Sequence, residues 1–381
     1  MSRKLLPVSI TAAVMGGTAI AEVPNVAVDI TPVHSLVARV MEGVGTPDLI
    51  VQPGASPHEY NLRPSEAAAL QEADIVFWIG EDLTPWMGGA IGTLAEGATV
   101  TSLLETDGTV LLEFREGALF EAHDHGHDAH ADEEHVDRDD HGDEHAHDDH
   151  AKEEKHGDHD HDEHAEKHED GDDHAEGKDH GHEDEHAEHA ESDEHDHDEH
   201  AEHEDHDDHH HGAHDPHAWL SPANAGNWLN VIAAQLSAAD PDNAGAYFAN
   251  AASAREEMEA LTVEVAGMLQ PVQGGSFIVF HDAYQYFEDE FGLPASGAIS
   301  IGDASDPSPA RIAEIQARIK EEGITCVLAE PQFNPDLVKT VLDGTEASTG
   351  VIDPLGAELE PGADLYPQVI RNMAKTLSDC L

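Results

Sequence analysis

The sequence predicts an α/β fold in two similar halves with parallel sheets, a long helix between them, and an insert that cannot fold. Three observations carry this. Short apolar runs alternate with helical stretches before residue 121 and again after residue 272, in the same grammar each time. Between the two series, residues 243–269 space their apolar positions for one helix, roughly 40 Å long. Finally, 27 of the 32 histidines fall between His123 and His211, among 40 acids, 5 bases and no leucine, isoleucine or aromatic residue. Such a segment has nothing with which to build a core.

In the first half, Asn25–Ile30 reads as a buried strand. Pro32 opens a helix through Met41, with Val33, Leu36, Val37 and Val40 at helical spacing. His34, just inside that helix, reads as a partly exposed structural residue and not as a ligand. Leu49–Val51 is a short strand running into Gln52-Pro-Gly-Ala-Ser-Pro-His58-Glu59-Tyr60, where a glycine and two prolines force a loop. Loops at the carboxyl ends of parallel strands carry ligand contacts, so His58 stands where a ligand should be. Arg63-Pro-Ser-Glu begins a helix, with Pro64 near its first turn. Asp74–Gly80 is a clear buried strand, Trp86 and Met87 read as core packing in the following helix, and Thr99–Leu103 is the last strand of this half.

After the insert comes His214-Asp-Pro-His217-Ala-Trp-Leu-Ser-Pro222. Asp-Pro is a turn signal, and Ser-Pro-Ala-Asn starts a helix over 222–238 that Asp240-Pro241 breaks. The long helix follows, a candidate rigid strut. The second half then reads strand Ser276–Phe280 with His281 at its carboxyl end, a helix to Phe291, a strand Ala298–Ile301 and a helix Pro309–Glu322. It continues with strand Ile324–Ala329 leading to Glu330, helix Pro335–Leu342, a short strand 350–352 ending at Asp353, and a closing helix Asp364–Cys380. The expected organisation is therefore a signal peptide 1–21, an N-terminal α/β lobe 22–242 carrying the insert 121–214, a linking helix 243–271 and a C-terminal α/β lobe 272–381.

The formal net charge is −64, of which the stretch 123–211 carries −35. The remainder is still strongly acidic, which argues against nucleic acid and anionic membrane surfaces and fits attraction of cations. At the N-terminus, Arg3 and Lys4 precede an apolar run, Leu5–Ile20, and a small-x-small site at Ala19-Ile20-Ala21. That is a secretory signal; the run is too short and broken for a membrane anchor. No cysteine stands at the cleavage site, so the mature chain is expected free in a periplasm. Cys326 and Cys380 are the only cysteines. Export permits a disulfide between them, and closing that loop would stabilise the fold by about 4 kcal/mol on chain-entropy grounds. The alternative is two buried thiols.

Imidazoles and carboxylates at the insert's density are ligands for divalent transition metals. His123, His125 and His127 at its start and His209, His210 and His211 at its end are expected to give weak accessory metal sites. A solvated acidic linker would need the charge but not the imidazoles. Since histidine ordinarily titrates near pH 6.5, such binding weakens in mild acid. A second, tighter site is expected from His58, His217, His281 and Asp353. Each follows an apolar strand or sits in a proline-rich turn. Three imidazoles and one carboxylate suit four-coordinate zinc, whereas manganese or iron would favour more carboxylate. Their spacing alone is weak, because they are scattered over about 300 residues with no short zinc pattern.

Six stretches sharpen this reading: Gly54-Ala-Ser-Pro-His58-Glu-Tyr-Asn-Leu-Arg-Pro-Ser65, Ala73–Gly80, His217-Ala-Trp-Leu-Ser-Pro222, Val279-Phe-His281-Asp-Ala-Tyr284, Ala329-Glu-Pro-Gln-Phe333 and Asp353-Pro-Leu-Gly356. In family order, they resemble the high-affinity zinc uptake family of periplasmic binding proteins, the solute-binding components of zinc ABC transporters in cluster A-I. The resemblance implies two α/β lobes joined by one long helix, with the metal in the interlobe cleft. It implies His58, His217 and His281 as zinc ligands and Cys326–Cys380 as a disulfide. The manganese and iron branch has a glutamate where this chain has His281. Asp353 falls at the acidic fourth position; in some zinc members water, or the carboxylate beside the first histidine, takes that place, so Glu59 is its rival. A departure is Ser296–Asp303, which lacks a histidine that some relatives carry near the cleft.

The function expected is capture of Zn²⁺ and delivery to a membrane permease, by a monomer that neither spans the membrane nor binds nucleic acid. The long helix implies modest lobe movement. Rival readings are a periplasmic zinc buffer or chaperone, and a metal-dependent adhesin. A zinc hydrolase would need an open coordination position and a placed base. Glu59 or Glu330 could be cast as that base, but no second catalytic group is evident, so an enzyme is not expected.

Overall fold

The computed structural model describes residues 23–115, 120, 214–300 and 307–381. These residues fall in one compact unit formed by 1–124 and 208–381. The expected signal peptide, residues 121–213 with the six histidines expected to form accessory sites, and residues 301–306 lie outside the described residues.

The first lobe holds strands β1 (Val26–Val28), β2 (Asp48–Leu49), β3 (Ile75–Trp78) and β4 (Thr99–Ser102). Its helices are α1 (Thr31–Val40), α2 (Pro64–Glu72) and α3 (Pro85–Leu94). After residue 213, a single 3-10 turn (Ala218–Leu220) leads into α4 (Pro222–Ala239). The long helix α5 (Ala244–Leu269) follows. The second lobe comprises β5 (Phe277–His281), α6 (Gln285–Phe291), β6 (Gly297–Ser300), α7 (Pro309–Glu322), β7 (Cys326–Ala329), α8 (Pro335–Leu342), β8 (Ser348–Val351) and α9 (Leu365–Cys380).

Both sheets are parallel, and their strand orders are the same: β2-β1-β3-β4 and β6-β5-β7-β8. The repeated grammar of the sequence is thus a repeated topology. The inner strands explain the arrangement. β1, β3 and, up to His281, β5 are apolar, and all three are buried at every position, as strands covered by helices on both faces must be. The edge strands β4 and β8 are threonine- and serine-rich and largely exposed. Proline opens six α-helices, among them α1, α2, α7 and α8, where its missing N–H costs no hydrogen bond.

One continuous apolar core runs through both lobes. It joins Val28, Leu36 and Phe77 to Tyr247, Leu261, Phe277 and Tyr366. α5 buries Tyr247, Ala251, Ala254, Met258, Leu261, Val265 and Leu269, a helical stripe, against this core. Bidentate pairs fasten its exposed face to both sides: Arg39 of α1 to Glu257, and Arg371 of α9 to Glu264. Further bonds cross between the lobes. Trp219 Nε1 donates to the Pro354 carbonyl (2.9 Å), Tyr366 Oη to the Trp219 carbonyl (2.8 Å), and Thr31 Oγ1 to the Leu355 carbonyl. Cys326 and Cys380 form a disulfide with Cα atoms 5.7 Å apart, tying β7 to the end of α9.

His34 is buried, not partly exposed. It faces inward because Pro47, at the entry to β2, offers its carbonyl to Nε2 at 3.1 Å. Burial lowers its pKa, so the ring is held neutral.

Candidate metal centre

In an open parallel sheet a ligand crevice forms where neighbouring connections leave the sheet in opposite directions, at the carboxyl ends of its central strands. In the second sheet that place lies between β5 and β7. His281 is the last residue of β5, and Glu330 is the first residue after β7. The pairing register sets them side by side, with His281 Nδ1 2.6 Å from Glu330 Oε1. In the first sheet the equivalent place is filled from within. Asp29, just after β1, accepts from the amides of Ile30 (2.7 Å) and Ile79 (2.6 Å). Burial pushes its carboxyl up to about 7 against those two bonds.

The loop after β2 supplies His58 and is braced from both sides. The Trp86 indole donates to the Pro57 carbonyl at 2.8 Å. Glu66 accepts from the Tyr60 hydroxyl (2.8 Å) and from the Arg63 amide (2.7 Å). Trp86, expected simply as core packing, therefore also holds the backbone next to the proposed ligand. His217 comes from the turn that follows the insert. Asp215 Oδ1 accepts from its amide (2.9 Å) and lies 2.7 Å from its Nδ1. This is a local turn in which one carboxylate fixes both backbone and ring. Burial pushes Asp215 up to about 7, with the His217 amide and Arg115 opposing.

Among the described residues, His58, His217 and His281 form the one histidine or carboxylate group whose possible ligand atoms all lie within 4.8 Å of one another. The ring centroids of His217 stand 5.5 Å from those of His58 and 5.4 Å from those of His281. A tetrahedral zinc with Zn–N near 2.1 Å needs nitrogens about 3.4 Å apart, so a small inward movement of the rings suffices. The chemistry of the pairs fits as well. In the tautomer in which Asp215 Oδ1 and Glu330 Oε1 accept, the proton lies on Nδ1 of their histidines. Nε2 is then the lone-pair nitrogen in each. The rings line a small pocket walled also by Trp219, Phe333, Pro354 and Leu355.

The other two candidates fall outside this group. Asp353 Oδ1 accepts from the amides of Leu355 (3.0 Å) and Gly356 (2.9 Å), and Oδ2 from Ala357 (2.6 Å). It closes the turn after β8. Glu59 is exposed. Asp215 and Glu330 were not foreseen as partners of the histidines. The Asp-Pro-His string was a usable signal for the first, since an aspartate readily bonds the amide two residues on.

A trio of imidazoles, two buried and His58 half-buried, with carboxylates behind the buried two and two parallel-sheet lobes around them, defines a metal-binding protein of the two-lobed α/β class. The chain belongs to the family described as zinc-uptake complex component A, periplasmic, which it matches over residues 26–380. It is similar to the high-affinity zinc uptake system protein ZnuA of Brucella abortus, 46% identical over 366 residues, covering 96% of this chain and 94% of that protein. It is likewise 42% identical over 376 residues to the protein of that name from Paracoccus denitrificans, covering 98% and 97% of the two chains. A crystal structure of ZnuA shares the fold with TM-score 0.62 at 19% identity, covering 94% of this chain and 99% of that one.

Proposed function

We propose that this chain captures Zn²⁺ in the periplasm through His58, His217 and His281 and delivers it to the membrane permease of an ABC transporter. The observation that carries the reading is the convergence of those three side chains, from a loop, a turn and a strand end, to within 4.8 Å. Neutral imidazoles suit zinc, and the Asp215 and Glu330 carboxylates offset part of its charge without themselves binding it. The fourth position is left to water, Glu59 or Asp353; Asp353 would have to give up backbone amides to serve. The relatives' name, high-affinity zinc uptake system protein, supports the same cargo.

The signal peptide 1–21 takes the chain to the periplasm. There it acts as a monomer of two lobes, 22–242 and 272–381, linked by 243–271. Among the described residues no helix is long and apolar enough to cross a membrane, so delivery needs a separate permease. The core shared by both lobes favours small movements on release over wide closure. The insert gathers zinc at weak sites and passes it to the trio. The reading is of a carrier and not an enzyme, since Glu330 is already engaged by His281. Calorimetric titration of His58→Ala, His217→Ala and His281→Ala tests it. Each should lose the single tight zinc and keep the weak ones; tight binding that survives all three rejects the assignment.

A further inference from the structure

The segment that leads from β4 into the insert is bound to both ligand-bearing arms. Val110 pairs with Asn224 of α4 through both amide and carbonyl (2.8 and 3.1 Å). Two residues on, the Leu112 carbonyl accepts from the Asp215 amide (2.8 Å), and the Leu112 amide donates to Tyr286 Oη of α6 (3.0 Å). Tyr286 Oη in turn donates to the Asp215 carbonyl (2.8 Å). Glu113 and His214 form an antiparallel bridge. The segment then reaches Arg115, whose side chain is almost buried against the second lobe. Arg115 Nε donates to both oxygens of Asp282 (3.0 and 3.1 Å), and its terminal nitrogens donate to Glu288 (2.7 and 3.1 Å) and again to Asp282. Its guanidinium lies 3.6 Å over the ring of Phe120. Asp282 directly follows His281 and Glu288 lies in α6; both are buried.

Here one buried cation faces two buried carboxylates. The cluster is therefore an ion network that holds only while all three parts are present. Its position is specific. On one side it grips the residue next to His281. On the other, through the backbone of residues 112–115, it grips Asp215, the residue that orients His217. Tyr286 Oη, through its bond to the Asp215 carbonyl, ties the same two arms by a single neutral contact, whereas the Arg115 cluster does so by charge.

We propose that Arg115, with Asp282 and Glu288, is a latch that locks the His217 and His281 arms together and so sets how fast the metal leaves. Arg115 is a positioning residue and touches no metal. The latch rests on the zinc reading above. Because it sits behind a site whose third wall, the His58 loop, is separately braced, opening it should ease release without obstructing entry.

The test is stopped-flow zinc release from the full mature chain into excess chelator, with association followed separately. Arg115→Met alone strands two buried carboxylates and risks the fold. The primary variant is therefore the neutral triple Arg115→Met, Asp282→Asn, Glu288→Gln, which removes the network without leaving a charge behind. The slow release phase should accelerate about tenfold, the lower end of the effect of partners behind metal ligands, with association within about twofold. Arg371→Met, which breaks the exposed pair with Glu264, should change neither rate. His281→Ala separates the two readings. If it abolishes the slow phase while the triple variant releases at the wild-type rate, the latch is overturned and the zinc site stands. If it leaves the slow phase intact, the zinc site falls and the latch with it. Equal slowing or speeding of entry and release in the triple variant would also overturn the latch, since that marks a general loss of structure.

Discussion

Replacing Glu330 by glutamine isolates the electrostatic support that the fold gives His281. Glu330 is 4% exposed and His281 5%, and their 2.6 Å contact is that of a charge-assisted hydrogen bond. Glutamine has the same length and can turn its amide oxygen to Nδ1. The ring orientation is then kept while the negative charge behind the imidazole is lost. Outer partners of this kind change metal affinity by about 10- to 100-fold, or roughly 1.4–2.7 kcal/mol. Competition against a chromophoric chelator should therefore give a zinc Kd weaker by that factor, with stoichiometry unchanged. A Kd within twofold of the wild type would refute the reasoning, because the carboxylate would then contribute nothing to the ligand's basicity. A loss as complete as that of His281→Ala would refute it differently, by making Glu330 itself a ligand.

Other outcomes follow from the same structure. Cys326→Ser with Cys380→Ser should lower unfolding free energy by about 4 kcal/mol, the chain-entropy cost of releasing a loop of their 54-residue separation, measured by denaturant titration. Asp29 gives a pH dependence with a definite sign. Its folded pKa of about 7 lies above the ordinary 3.8, so the folded state holds the proton more tightly. The stability this gives is complete below pH 4 and is lost as pH rises towards 7, by up to about 4 kcal/mol. Asp29→Asn should flatten that decline in thermal melts across pH 4–7; an unchanged slope would mean that the two amide bonds hold the carboxylate ionised. Trp86→Phe should cost about 1 kcal/mol of stability through loss of the bond to the Pro57 carbonyl, and loosen the His58 loop enough to weaken zinc binding measurably.

The parts of the fold legible in the sequence were those written in local pattern. Ile75–Trp78 and Phe277–His281 are apolar runs between turn signals, and α5 carries a stripe of seven buried residues at helical spacing. The histidine positions were legible for a related reason: each stands where a strand or a proline-rich turn ends. What was not legible depends on long-range closure. Glu330 lies 49 residues from His281, and only the parallel register of β5 and β7 brings them together. The path of residues 110–115 could not be read because its bonds go to Asn224, Asp215, Tyr286 and Asp282, all of them more than 100 residues away. His34 was misjudged in exposure because its acceptor is a carbonyl 13 residues on, in a turn whose direction the sequence does not state.

The central claim is that a tight site built from His58, His217 and His281 exists apart from the histidine-rich insert. Calorimetric zinc titration of the mature chain beside a version lacking residues 123–211 tests it most directly. The account predicts that the shortened chain keeps one tight zinc and loses the several weak ones, and that adding His217→Ala then removes the last. If removing 123–211 abolishes all tight binding, the insert itself is the functional metal site and the trio is not.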